Sequence, residues 1–375
     1  ASYETNSWNG IFSSNSEYLN LINLARVRQT SPLEELDRNE HLGKIERFKL
    51  EAIAAEISDY KKVNNLIDFT DMLDKFLIKG NVKNKFDVIF VDEAQDLSII
   101  QWKMIEKIEE TNQCDVWIAG DDDQAIFGWA GADVDSFIDW KAKEIPLQQS
   151  ERVPSEIQIK ALQIIDRVQD NRLNKDYFPK EDEGEILIQF KLAAINMTKG
   201  NWLILARTNP LLQPIPRYLK SMGLFFETAQ GNSIGKTLFE DINYWNQMRK
   251  GEKIPEVQEQ RVLERMSKRD NKLEWYDAFD HVASSKKDYL RSMLANGEDL
   301  SKQPRIKVST IHGAKGGEAT NVVLFLNQTT NTMKAAKKSI TKQDEEHRVW
   351  YVAVTRTMQK LYLIKCNNRQ KEFII

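Results

Sequence analysis

The sequence predicts an α/β protein built on parallel sheets, with two sheet-bearing domains and helical insertions. Three observations carry this. Val88-Ile89-Phe90-Val91 is an apolar run that ends abruptly in Asp92, Glu93 and Asp96. Val116-Trp117-Ile118-Ala119 is a second such run, ending in Gly120-Asp121-Asp122-Asp123-Gln124. Beyond residue 147, short apolar runs alternate with helix-prone stretches. A continuous apolar run bounded by polar residues reads as a strand buried in a parallel sheet, and alternation of strands with helices reads as a doubly wound architecture.

In chain order, residues 1–80 read as mostly helical. Glu17 to Arg28 carries Leu19, Leu21, Ile22, Leu24 and Ala25 at near-helical spacing, and Ile45 to Ile57 carries Ile45, Phe48, Leu50, Ile53, Ala54 and Ile57. Phe86 to about Pro146 forms a sheet core, with Ser98 placed to cap a helix whose apolar face is Ile100, Met104 and Ile108. From Leu147 a second α/β region begins. Its strand candidates are Ile186–Phe190, Trp202–Ala206, Lys307–Ser309, Val322–Leu326 and Leu361–Ile364. Gly251 to Pro304 is charged and helix-prone with no buried-strand signal. No internal repeat or low-complexity tract is visible.

Composition narrows the function classes. In 375 residues, 41% are hydrophobic and 29% charged, the balance of a globular chain. No run of 18 apolar residues is present, so no transmembrane helix is expected. Cys114 and Cys366 make neither a disulfide framework nor a metal-ligand pair and read as free thiols near apolar strands. A net charge of −3 argues against coating nucleic acid by charge alone. It leaves open a protein that grips single strands in a local groove by stacking.

The chemistry concentrates at the two strand-to-acid junctions. Ligands bind at the carboxyl ends of parallel strands. Acids placed there can hold Mg²⁺ through water and orient a water on a nucleotide phosphate. The competing reading is a surface acidic turn, but acids seldom follow a buried strand so directly. Two such junctions suggest neighbouring strands that share one site.

DEAQD at 92–96 followed by GDDDQAIFGW at 120–129 resembles the Walker B and coupling motifs of the UvrD/Rep/PcrA-like superfamily 1 DNA helicases. The resemblance continues in order. Asp68 to Leu73 resembles the helix before the Walker B strand, and Leu147 to Ile157, with Arg152, the first arginine-bearing motif. Leu205-Ala206-Arg207-Thr208-Asn209 resembles the strand and turn that follow it. Ser309 to Glu318 resembles the motif that touches both DNA and nucleotide, and Glu345 to Arg356 the last helicase motif. One such motif is weak; an ordered series over roughly 300 residues is specific.

The resemblance implies two RecA-like parallel-sheet motor domains, the first incomplete. Residues 1–80 would be a helical insertion of the first domain and 81–146 the rest of it. The second domain would comprise 147–250 and 304–375, with a small helical accessory insertion at 251–303. ATP and Mg²⁺ are the implied cofactors, and single-stranded DNA and single-strand/duplex junctions the implied partners. Movement 3′ to 5′, a cytoplasmic location in a bacterial or phage-infected cell, and no membrane partner complete the expectation.

Residue roles follow from the same resemblance. Asp92 contacts Mg²⁺, Glu93 polarises the attacking water, and Gln124 reads the γ-phosphate and reports to the DNA site. Arg152 and Arg356 are arginine fingers, since a guanidinium stabilises the equatorial oxygens of a phosphoryl group in transfer. Glu318 takes the nucleotide sugar, with Arg207 near the phosphates. Phe127 and Trp129, two residues apart, would point the same way on an extended loop and stack on bases; core packing is the alternative. Thr310 and His312 meet the DNA backbone, although a lone histidine is more often structural.

Family features are also missing. No G-x-x-x-x-G-K-[ST] phosphate cradle occurs. Gly231-Asn232-Ser233-Ile234-Gly235-Lys236-Thr237 has three residues between its glycines, not four, and reads as a helix-entry turn. With Ala1 in place of Met, the expectation is an N-terminally truncated helicase, inactive by itself. Glu151 stands where the family has an adenine-stacking tyrosine, Ala130 where it often has arginine, and Gly317 where leucine is usual. The alternative is a non-hydrolysing single-strand-binding or regulatory protein on a helicase fold. A helicase–nuclease subunit ranks third, because only about twenty residues follow the last motif, too few for a nuclease domain of ordinary size.

Overall fold

The computed structural model describes residues 16–38, 45–82 and 85–375; the expectations for Ala1 and its neighbours fall outside them. The chain divides into two compact units. One is Ala1–Ile145 with Gln169–Asn174; the other is Pro146–Val168 with Lys175–Ile375. Both mix helices with parallel sheet. Among the described residues, no helix is long and apolar enough to cross a membrane.

In the first unit, helices Glu17–Val27, Pro32–Arg38 and Arg47–Val63 bury Leu21, Ile22, Leu36, Ile45 and Leu50 against one another. Helix Phe69–Lys79 starts at Asp68, which accepts from the Asp71 backbone N–H at 2.8 Å while Asp71 accepts from that of Asp68 at 2.8 Å. This reciprocal cap satisfies two helix-end donors. Arg26 and Lys61 pair with both carboxylates. Burial pushes the Asp68 carboxyl up, but hydrogen bonds from Arg26, Lys61 and the Asp71 backbone outweigh it and hold the pKa well below the ordinary range.

Strands β1 (Val88–Val91) and β2 (Asp115–Ile118) pair in parallel, Val88 opposite Asp115 and Val91 opposite Ile118. Helix Ile99–Asn112 connects them, and Trp102 and Ile105 cover Val91, Val116 and Ile118. Ser98 begins that helix, its N–H and Oγ both donating to Gln101 Oε1. The other face differs from the expected doubly buried strand: Val88, Phe90 and Trp117 are exposed. A two-residue side-chain period sends alternate residues to opposite faces, and the described residues cover only one.

The second unit carries β3 (Gln149–Pro154) paired with β4 (Phe178–Lys180), and a seven-stranded sheet. Its strands are β5 (Glu185–Gln189), β6 (Trp202–Ala206), β7 (Phe226–Thr228), β8 (Gly231–Asn232), β9 (Ile306–Thr310), β10 (Ala319–Phe325) and β11 (Thr357–Ile364), in the order β5-β11-β10-β6-β9-β7-β8. All pairs are parallel except β7–β8. All five residues of central β6 are buried, as a strand covered on both faces requires. Helices Ser155–Ile165 and Ile340–Val354 pack together.

Helices Glu256–Leu263, Trp275–Ala278 and Ser284–Ala295 occupy the charged insertion and share a core with helix Lys236–Arg249, built on Trp245, Trp275, Phe279, Leu290 and Met293. Lys236 is the first residue of its helix, and its side chain is 87% exposed, near Glu240. That is the helix-entry turn expected from its glycine spacing.

Candidate functional site

The first unit brings its two acidic junctions side by side, because β1 and β2 run parallel and in register. Asp92 and Glu93 follow β1 and are both exposed. Glu93 has φ 51°, a left-handed backbone that costs a non-glycine residue on the order of 1 kcal/mol. Its N–H donates to Asp92 Oδ1 at 2.9 Å.

The sequence reading missed Gln95, which is fully buried. Its Nε2 donates to Glu93 Oε2 at 2.6 Å, and its Oε1 accepts from the Asp121 N–H at 3.0 Å. Gly120 permits this approach: a Cβ there would lie 2.5 Å from Gln95 Oε1 and 2.8 Å from the Phe137 ring. Asp121 in turn accepts from Gln124 Nε2 at 2.9 Å and from the Asp123 N–H at 3.1 Å. Glu93 and Gln124 are therefore joined through Gln95 and Asp121. A signal was present, since a neutral amide between acids at a strand end can bridge two carboxylate-bearing turns.

Asp122 and Asp123 are buried. Leu173 N–H donates to Asp122 at 3.0 Å, and Arg172 Nε to Asp123 at 2.8 Å. The three consecutive acids lie close enough to share an ion, yet each accepts hydrogen bonds from the protein. Asp92 and Glu93, which also accept hydrogen bonds from the protein, are exposed hard oxygens at a strand end, the donor type that could hold Mg²⁺.

Phe127 and Trp129 do not share a direction. Phe127 is 5% exposed and Trp129 57%. The expected geometry fails because Gly128–Ala130 is a 3₁₀ turn, not extended chain. The rings lie 6.4 Å apart at 58°, so Phe127 supports Trp129 from the core.

In the second unit, Arg152 and Glu318 come together, with Arg152 Nε donating to Glu318 Oε2 at 2.6 Å. Arg207 is committed to a buried acid. Its Nε and Nη2 donate to Glu346 at 2.9–3.0 Å, and Gln328 Nε2 and Trp350 Nε1 donate to the same carboxylate at 3.1 and 2.7 Å. Arg356, expected to present its guanidinium, is 1% exposed. It donates to the carbonyls of Val352 at 3.0 Å and Gly317 at 3.4 Å. Thr310 ends β9, and its Oγ1 accepts from the Gly313 N–H at 3.1 Å. His312 opens the following turn, half-buried.

Residues 4–144 match the family model described as UvrD/REP helicase N-terminal domain. The chain is 36% identical over 132 residues to DNA helicase II of Haemophilus influenzae, covering 32% of this chain and 18% of that protein. It is 26% identical over 234 residues to ATP-dependent DNA helicase PcrA of Bacillus subtilis, covering 57% and 31%. To ATP-dependent DNA helicase Rep of Buchnera aphidicola it is 30% identical over 144 residues, covering 34% and 21%. The chain thus matches less than a third of the length of each of these curated relatives. The first unit, whose two acidic junctions are paired, is thus similar to the N-terminal domain of UvrD/REP helicases, and the chain is similar in sequence to the DNA helicases named above.

Proposed function

We propose that this chain serves an ATP-dependent DNA helicase or translocase that moves 3′ to 5′ on single-stranded DNA and acts at single-strand/duplex junctions. One observation carries the reading furthest. The bonded series Glu93–Gln95–Asp121–Gln124 links the acids of β1 to a turn that exposes Trp129 five residues later. A group suited to phosphate chemistry and a ring suited to base stacking thus lie on one short path.

Asp92 would hold Mg²⁺, which neutralises phosphate charge when bound, and Glu93 would orient water. Gln124 would sense the γ-phosphate, and its bond to Asp121 would change with that contact. Arg152 and Arg356 would stabilise phosphate charge, Glu318 would take the sugar, and Arg207 would hold the backbone after β6 through Glu346. Trp129 would stack on bases with Phe127 beneath it, while Thr310 and His312 meet DNA phosphates. In domain terms, 1–80 and 81–146 would serve the first motor domain, 147–250 and 304–375 the second, and 251–303 an accessory insertion.

The test is ATP hydrolysis by this chain, with and without single-stranded DNA, beside Glu93→Gln, with DNA binding measured on the same preparations. DNA-stimulated turnover abolished by Glu93→Gln would overturn the reading that this chain has no phosphate cradle, and Lys236 would be the first residue to mutate. DNA binding without turnover supports the motor reading, because the sequence carries no G-x-x-x-x-G-K-[ST] phosphate cradle. Absence of DNA binding overturns the motor reading.

A further inference from the structure

Arg28 bridges two places that the proposed chemistry does not use. It follows helix Glu17–Val27, with its backbone N–H donating to Leu24 O at 3.0 Å. Gln29, at φ 55°, then reverses the chain into helix Pro32–Arg38. The reversal returns Glu35 to Arg28. Glu35 is fully buried and accepts from Arg28 Nη1 at 2.5 Å. The other terminal nitrogen, Nη2, donates to the carbonyl of Gly128 at 2.7 Å.

Gly128 opens the 3₁₀ turn that carries Trp129. At the far end of that turn, Gly131 sits at φ 99° against the same helix; a Cβ there would lie 2.6 Å from Val27 Cγ2. The turn is therefore held at both ends by one helix terminus, through a hydrogen bond at Gly128 and close packing at Gly131. A planar guanidinium suits this job. It can donate in two directions at once, while a buried carboxylate fixes its plane.

We propose that Arg28, locked by Glu35, is a positioning residue that orients Trp129 for base stacking. The proposal rests on the reading of Trp129 as a DNA contact. Preorganising the ring removes an ordering cost from each binding event, so the strut acts on affinity without touching DNA.

The experiment is a double-mutant cycle on the full chain with Arg28→Ala and Trp129→Ala. A fluorescein-labelled oligothymidylate is titrated at several salt concentrations. Arg28→Ala is expected to weaken binding roughly tenfold, the scale of one charge-assisted hydrogen bond. It should leave the salt dependence unchanged and add little once Trp129 is gone. Arg28→Lys keeps a cation for Glu35 but cannot brace both partners; it should lose affinity too, and it carries the test if Arg28→Ala fails to fold.

Unchanged affinity in both Arg28 variants overturns the proposal. Additive losses with a shallower salt slope also overturn it, because they mark a direct phosphate contact. If Trp129→Ala alone leaves affinity intact, the stacking reading fails instead. In that case the emission anisotropy of Trp129 in DNA-free protein, taken as the difference from Trp129→Phe, decides the strut. A drop on Arg28→Ala supports it, and no drop refutes it.

Discussion

Replacing Gln95 by alanine removes both hydrogen bonds that join the β1 and β2 acid turns, at 2.6 and 3.0 Å. The costs differ at the two ends. Glu93 is exposed and can turn to water, so its loss is small. The Asp121 N–H loses its acceptor beside a fully buried side chain, and an unsatisfied buried donor costs about 1–3 kcal/mol. A loss near ~2 kcal/mol lowers the melting point of a unit this size by roughly 4–8 °C. Differential scanning calorimetry reads the shift, and amide exchange places it: Asp121 to Gln124 should exchange faster than in the parent. Gln95→Glu sharpens the test. It keeps an acceptor for Asp121 but sets a second carboxylate against Glu93, so its penalty should exceed that of alanine at neutral pH and shrink in acid as one carboxyl takes up a proton. An alanine variant that melts and exchanges like the parent, or a Gln95→Glu penalty insensitive to pH, would refute the bridge.

Phe127→Ala should cost about 3–5 kcal/mol as a large buried ring, while Trp129→Ala should stay within about 0.5 kcal/mol as an exposed one; paired denaturant melts distinguish them. Glu346→Ala strips Arg207, Gln328 and Trp350 of a shared acceptor and should cost about 3–5 kcal/mol, as breaking a buried ion pair does; guanidinium denaturation reads it. His347 is held below its ordinary pKa by burial first and the Arg167 guanidinium second, against the pull of Asp344 and Glu346. A histidine kept neutral in the fold contributes stability fully above its unfolded pKa of about 6.5. That contribution is lost as pH falls through the lower folded pKa, so the parent should lose more stability between about pH 7 and 5 than His347→Gln does.

Much of the second unit was legible because its main strands are short apolar runs, with β6 buried along its whole length. Trp202–Ala206 was located to the residue, β9 and β11 contain the runs that marked them, and β10 covers its run except Leu326. Strand β3 was missed since Gln149–Pro154 carries Gln, Ser, Glu and Arg and has little apolar signal. The pairing of β1 with β2 followed from two matching strand-to-acid junctions. The exposed face of β1 did not, because an apolar run cannot say how many of its faces are covered. At the site, Asp92 and Glu93 follow β1 directly and Trp129 lies exposed on a turn, while their roles rest on the proposed function. Phe127 was misjudged because a spacing of two means one thing in a strand and another in a 3₁₀ turn. Arg172 and Arg28 could not be ranked from sequence, because Asp123 and Gly128 lie 49 and 100 residues from them; Gln95 had a local signal but was not ranked.

The most direct test of Trp129 as the DNA contact places 2-aminopurine in a single-stranded oligonucleotide and follows its fluorescence as the chain is added. Stacking on an indole should quench it, and Trp129→Ala should remove the quench and weaken binding by the roughly 1–3 kcal/mol of one base–aromatic stack. Equal quenching and equal affinity in parent and variant would contradict the assignment of Trp129.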